Sequence, residues 1–182
     1  MNTFSTEGIV LKRSNFGEAD KIVTIYSKRF GKISCLAKGV RKMTSRKRGT
    51  LEIFNQIKFF ASKGKDLFLV TEAEIISSHS SFRKSLKKIA AAYQLCEVVD
   101  KLTADSHEQE DIFDLLVLYL NKLEETKEDD LNIFIKGFAI NLLKLSGFWP
   151  KNKALPKNFS ISSFIEGIIE RELKSKNFSR RI

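Results

Sequence analysis

Up to about residue 80 the chain alternates apolar and polar positions in short runs broken by glycine-bearing turns. Beyond that point its apolar residues recur with helical period. The runs fall at residues 8–13, 21–27, 33–38, 51–61 and 67–76, with turns at 15–18, 30–32 and 62–65 between several of them. In the third run Ile33, Cys35 and Ala37 share one face, while Lys32, Ser34 and Lys38 share the other. That is the pattern of a strand with one buried and one solvated side. Five short strands in so little chain favour a small barrel, because closure removes the unpaired edges of an open sheet.

The second part predicts a helical bundle. Phe82, Leu86, Ile89, Tyr93, Cys96 and Val99 form one stripe, leaving Lys84, Lys87, Lys88, Glu97 and Lys101 for solvent. A second helix is expected after Ser106, with Gln109 completing a capping box, through Ile112, Leu116, Tyr119 and Leu123. The third begins at Glu128, Asp129 and Asp130, acids that suit the positive end of a helix dipole. Its apolar residues from Leu131 to Leu145 encircle much of the helix, which places it at the bundle's centre. A last helix is expected from Ser163, capped with Glu166, after an irregular link at 147–159 that holds both prolines. The expected class is α+β, an all-β domain over residues 1–79 followed by an all-α domain over 80–182.

Charge adds a partner to this outline. The net charge is +10, and it is unevenly spread. Residues 1–80 carry 15 Lys and Arg against 7 Asp and Glu, whereas residues 81–182 carry 17 against 15. Such an excess points to a polyanion. It peaks between the third and fourth runs, where Lys38, Arg41, Lys42, Arg46, Lys47 and Arg48 stand without an acid among them and Lys32 lies just upstream. Phosphate neutralisation by such a segment releases condensed counterions and gives salt-sensitive binding. Its glycines keep the backbone mobile, and Thr44 and Ser45 add hydroxyl donors for phosphate. Lys12 and Arg13 end the first run beside Phe16, an aromatic on which a base could stack.

Catalytic chemistry is thinly represented. There is no phosphate-binding GxxxxGK[ST] motif, and His79 and His107 lie outside any metal-ligand spacing, as surface or capping residues. Glu18 and Asp20, with Glu52, Glu72 or Glu74, would be the acids of a metal-dependent nuclease, but turn and strand-edge roles account for them. Cys35 and Cys96 lie far apart in apolar settings and read as core residues of a protein from a reducing compartment. No catalytic residue, metal or cofactor is expected, and the chain is read as a binding protein, not an enzyme. The N-terminus lacks a leader pattern, and the longest apolar stretch, 112–120, is interrupted by Asp114 and is too short for a bilayer. A cytoplasmic protein with no membrane contact is the expectation.

An ordered series of short motifs resembles a known family. Glu7-Gly8-Ile9-Val10-Leu11, Phe16-Gly17-Glu18-Ala19-Asp20-Lys21-Ile22 and Phe30-Gly31-Lys32-Ile33 are similar to the opening of the bacterial recombination mediator RecO. Ala37-Lys38-Gly39-Val40-Arg41-Lys42, Ser45, Leu51-Glu52-Ile53-Phe54 and Ala73-Glu74 continue it in order, and Leu142 to Pro150 resembles the stretch that closes that family's central helix. The resemblance implies an OB-fold barrel followed by a helical domain. It implies binding of single- and double-stranded DNA, annealing of complementary strands, and help in loading RecA onto DNA coated by single-strand-binding protein. The implied partners are RecR and the C-terminal tail of single-strand-binding protein. Lys38, Arg41 and Lys42 carry over onto the family's DNA-binding surface; Lys12, Arg13, Arg46, Lys47 and Arg48 join them on charge grounds. Many members place a four-cysteine zinc module after the Gly-aromatic-x-Pro stretch, but Lys151 to Pro156 here contain no cysteine, so a shortened form without zinc is expected. Other readings are a different OB-fold protein acting on DNA or RNA, or a helical protein-interaction scaffold.

Overall fold

The computed structural model describes residues 3–45, 47–153, 155–156 and 159–175. Among the described residues, strands β1 (Thr3–Phe16), β2 (Asp20–Ser27), β3 (Gly31–Ala37), β4 (Gln56–Lys63) and β5 (Phe68–Ser77) close into a barrel in the order β1-β2-β3-β5-β4. Neighbours are antiparallel except β3 and β5, which pair in parallel at Cys35–Phe68 and Leu36–Leu69. This OB-like barrel, followed by helices, is the α+β architecture expected from the sequence.

Two of the five runs differ from expectation. β1 is longer than residues 8–13 because it serves two partners. Its first half, from Thr3 to Ile9, pairs with β4, and its second, from Gly8 to Phe16, pairs with β2. Between Val10 and Lys12 the register slips by a bulge, which bends the strand from one partner to the other. The fourth run loses residues 51–55 to a turn. One helical turn, α1 (Lys47–Thr50), precedes it, and Phe54 adopts φ 76°, outside any strand conformation. The Phe54 N–H donates to the Val10 carbonyl at 2.9 Å, and the Val10 N–H donates to that of Asn55 at 3.1 Å. Leu51 and Phe54 are therefore apolar for a different reason than strand residues: they are buried beneath a turn.

Alternate residues of every strand fill the barrel, with Val10, Val23, Ile25, Cys35, Ile57 and Phe59 fully buried. Residues 104–113 belong to this same compact unit as 1–79. The Ser106 N–H donates to the Lys32 carbonyl at 2.8 Å, and Lys32 Nζ lies 3.3 Å from the Asp105 carboxylate. Gly31 has φ 60°, and a Cβ built on it would meet the His107 carbonyl oxygen at 1.9 Å, so two separate constraints demand glycine here. Ser106 itself is left-handed (φ 57°) and does not cap the next helix, contrary to the capping-box expectation. Helix α3 (Glu110–Glu125) instead starts after Gln109, whose carbonyl accepts from the N–H groups of Ile112 and Phe113.

The second compact unit comprises residues 80–103 and 114–182. It contains α2 (Leu86–Leu102), α4 (Leu131–Leu145), α5 (Ile161–Ile169) and most of α3. The expected stripe of α2 is only partly right: Leu86 and Tyr93 are 62% and 39% exposed, and Ala91, Ala92, Leu95, Val98 and Leu102 are buried instead. Alanines let neighbouring helices approach closely, a burial that a search for large apolar residues overlooks. Helices α2 and α4 contact each other and both contact α5, while Ile133 of α4 is 74% exposed, so the apolar residues that encircle α4 are not all buried. Ser85 caps α2, accepting from the Lys88 N–H at 3.3 Å, and Ser160 caps α5, accepting from the Ser163 N–H at 3.3 Å. Helix α5 thus begins before Ser163, and Glu166, expected in the cap, accepts from the Leu173 N–H at 3.3 Å. Glu97, expected to face solvent, accepts the N–H groups of Lys174 and Ser175 at 2.9 and 2.8 Å. His79 is buried, whereas His107 is exposed. No helix among the described residues is long and apolar enough to cross a membrane.

Candidate nucleic-acid interface

The basic residues are organised by the end of the barrel that carries the β1–β2 turn. Directly opposed residues on neighbouring strands share a face. Arg13 opposes Val23, and Lys21 opposes Ala37, so both cations extend the inward-facing rows past the last buried rungs. The bulge decides which residue does so. Without it, alternation from Val10 would carry Lys12 inward; with it, Lys12 opposes Thr24 on the outer face and Arg13 turns in.

The chain leaving β3 is tied over this end. Gly39, at φ 66°, donates its N–H to Asp20 Oδ1 at 2.7 Å. The Arg41 N–H reaches the Ala19 carbonyl at 2.9 Å, and its guanidinium Nη1 donates to the Gly17 carbonyl at 3.2 Å. On the far side of the connection, Lys47 Nζ donates to the Val70 and Thr71 carbonyls at 3.2 and 3.4 Å. Asn55 Nδ2 closes α1 from below, on the carbonyls of Gly49 and Thr50, each at 2.9 Å. Where sequence composition suggested a mobile segment, the described part of the connection is anchored at both ends.

Between these anchors lies a cleft of about 220 Å³. Val40 and Leu51, both part of the barrel core, form its floor, and Arg13, Lys21, Arg41, Arg48 and Glu52 line its walls. Glu52 is ion-paired with Arg13. Four cations therefore face one carboxylate. Burial, and then the Arg13 guanidinium, hold the Lys21 ammonium below the usual lysine range; Arg41 and Arg48 push the same way, and Glu52 opposes them. Among the described residues the Lys21 ammonium and the Arg48 guanidinium have no hydrogen-bond or ion-pair partner. Crowded cations without partners constitute a site prepared for an anion.

The structure thus brings together three residues named from the sequence, Arg13, Arg41 and Arg48. It adds Lys21, which sequence reading treated only as the start of a strand. Opposition to Ala37 across a hairpin was the signal for it, and that requires the register. Lys12 stands exposed on the outer face, Lys38 and Lys42 are exposed on the anchored connection, and Lys47 is turned toward β5. Arg46 lies outside the described residues. Phe16 is 50% exposed at the end of β1, free to present its ring beside the cleft-bearing turn. The acids considered for a metal serve local roles: Asp20 holds Gly39, and Glu52 holds Arg13. Among the described residues no three His, Cys, Asp or Glu side chains cluster to hold a metal ion, and both cysteines are buried.

Comparison with known proteins agrees in both halves of the chain. The family model described as recombination protein O N terminal matches residues 1–79, and that described as recombination protein O C terminal matches residues 83–153. The DNA repair protein RecO of Pelotomaculum thermopropionicum is 33% identical over 150 residues, covering 82% of this chain and 57% of that protein. RecO of Acetivibrio thermocellus is 34% identical over 150 residues, covering 82% and 59%, and RecO of Rubrobacter xylanophilus is 34% identical over 151 residues, covering 83% and 60%. The chain spans somewhat under two thirds of the length of these relatives. With an OB-like barrel, a helical region and a matching model for each, the chain belongs to the RecO family of DNA repair proteins.

Proposed function

We propose that this chain binds single- and double-stranded DNA through the basic end of its barrel and acts in recombinational repair without catalysing a reaction. In this reading it anneals complementary strands and, with RecR, assists RecA onto DNA coated by single-strand-binding protein, whose C-terminal tail it also contacts. The observation that carries the reading is the convergence of Arg13, Lys21, Arg41 and Arg48 on one cleft, two of them without a side-chain partner among the described residues. Lys12, Lys38, Lys42 and Lys47 extend the positive surface around it, and Arg46 extends it in sequence. Residues 1–79 form the DNA-binding domain and residues 80–182 the helical domain, in a cytoplasmic, nucleoid-associated protein.

Annealing follows from the same electrostatics. A protein that neutralises phosphates on two strands lowers their mutual repulsion, and binding that is tolerant of sequence leaves base edges free to pair. The test is an annealing assay on complementary oligonucleotides, with and without single-strand-binding protein, beside a salt titration of binding. Acceleration of annealing and a steep loss of affinity with salt are expected. Salt-independent binding, or a preference for RNA over DNA in direct competition, would overturn the reading.

A further inference from the structure

The cleft differs from the rest of the basic surface in being small and enclosed by charge. At about 220 Å³ it falls below the roughly 300–1,000 Å³ of sites that hold a whole small molecule. It has room for one phosphate group entering over the Val40–Leu51 floor. Its charge count also departs from what a strand's interior asks for. A phosphodiester carries one negative charge, whereas a terminal phosphate monoester carries about −1.5 to −2 at neutral pH and three acceptor oxygens. Four cations against one carboxylate leave an excess of three positive charges in the cleft. A single diester would neutralise about a third of that excess; a dianion neutralises about two thirds.

From this geometry we infer that the cleft is a receptor for the phosphate monoester at the end of a DNA strand, with Lys21 and Arg48 supplying the contacts that distinguish an end from an interior phosphate. The inference rests on the DNA-binding reading of the barrel and makes it more specific. Lys21 and Arg48 are the natural donors because neither is engaged by protein among the described residues, whereas Arg13 is held by Glu52 and Arg41 by the Gly17 carbonyl. Crowding supports the assignment: the cations that disfavour a charged Lys21 are those a dianion would relieve. Lys38, Lys42 and Lys12, exposed around the cleft, are left to track the strand's interior phosphates, for which open, solvated lysines suffice.

The experiment is fluorescence-polarisation binding of the full chain to one labelled single-stranded oligonucleotide in three forms, 5′-phosphorylated, 3′-phosphorylated and unphosphorylated, at moderate salt. One phosphorylated form is expected to bind on the order of tenfold tighter than the unphosphorylated one, the worth of one or two charge-assisted hydrogen bonds. In Lys21→Met and Arg48→Met that ratio is expected to fall toward one, because the phosphorylated form loses more affinity than the unphosphorylated strand, whereas Lys42→Met, outside the cleft lining, is expected to weaken all three forms alike and keep the ratio. Circular dichroism melting would show that both variants remain folded. Equal affinity for all three forms overturns the terminal-phosphate receptor while leaving DNA binding intact. Equal competition by a mononucleotide and by the phosphorylated strand also overturns it, since the cleft would then read a free anion. If none of the strands binds, the DNA-binding reading fails instead. Inorganic phosphate then tests the cleft alone, which survives only as an anion site if the Gly39 and Arg41 amide resonances shift.

Discussion

The two ends of the barrel are built from the same alternating strands and do opposite things with them. At the end carrying the β2–β3 turn, the inward rows finish in aromatic residues. Phe4 lies 4.3 Å from Phe30 and 5.2 Å from Phe68, ring centroid to centroid. Residues 104–107 close over that turn, with Gly31 against the His107 carbonyl. At the end carrying the β1–β2 turn, the inward rows finish in Arg13 and Lys21, and the chain from β3 adds Arg41 and Arg48 without covering them. One end removes apolar surface from water, which stabilises the fold. The other holds like charges together, which destabilises it and leaves it ready for an anion. The fold and its site are separable because they occupy different ends.

The largest expected effect lies at the aromatic end. Gly31→Ala should destabilise the chain by about 3 kcal/mol, since the new Cβ meets both a left-handed backbone and the His107 carbonyl. The unfolding midpoint should then drop by roughly 10 °C for a chain of this size. Calorimetry or a thermal melt reads this directly, and an unchanged melt would mean that residues 104–107 are not packed against the turn. Oligonucleotide affinity, measured well below the midpoint, should stay within about twofold of the parent, because the opposite end is untouched.

The converse experiment alters the basic end. Arg41→Glu with Arg48→Glu should weaken single-stranded DNA binding by at least about tenfold and reduce the salt slope by about one for each phosphate that is no longer neutralised. Urea unfolding of the same variant should remain within about 1 kcal/mol of the parent, since the Arg41 side-chain bond to Gly17 is exposed and no Arg48 side-chain bond exists among the described residues. A large stability loss with intact binding would reverse the roles assigned to the two ends.

How far the chain's pattern reveals this division depends on the residue. Ile33, Cys35 and Ala37 on one face of a strand, and a basic run after Ala37, were both legible, because alternation and charge are local properties. Arg13 and Lys12 show where local reading stops. They are adjacent and equally charged, and only the bulge after Val10 sends one inward and the other out. Lys21 was hidden for a related cause, since its position over the core depends on opposition to Ala37. Residues 51–55 carry strand-like side chains, but the Phe54 and Asn55 backbone bonds to Val10 make them a turn. In α2 the misleading feature was size: Ala91 and Ala92 are buried where Leu86 and Tyr93 are not, because helix proximity rather than side-chain bulk sets the contact face.

Lys21→Met offers a finer probe of the charged end. Removing a cation that burial and Arg13 disfavour should raise stability slightly while lowering affinity for DNA. The sign with pH follows from proton counting. Because Lys21 is held below its ordinary range when folded, the unfolded chain binds more protons than the folded chain between the two titrations. The parent's disadvantage relative to Lys21→Met is therefore full at neutral pH and shrinks as pH rises through the depressed folded value toward the usual lysine range. Urea midpoints of parent and variant at neutral and alkaline pH measure it. A gap that is constant with pH would assign the gain to side-chain packing and not to charge.

The smallest effect tests whether the two ends open independently. Cys35 sits inside the barrel, paired across to Val23, and burial pushes its thiol up to about 12. It reacts with a thiol reagent only when the barrel opens, because the thiolate is the nucleophile and the buried thiol holds its proton. Labelling followed by peptide mapping, which separates Cys35 from the equally buried Cys96, reports that opening for the barrel alone. Phe4→Ala, which loosens the aromatic end, should speed Cys35 labelling several-fold, in proportion to the stability it removes. Arg41→Glu with Arg48→Glu should leave the rate near that of the parent, since those side chains cover no apolar surface that the core depends on. If both variants speed labelling equally, the barrel opens as one unit, and the two ends are coupled in stability although they differ in chemistry.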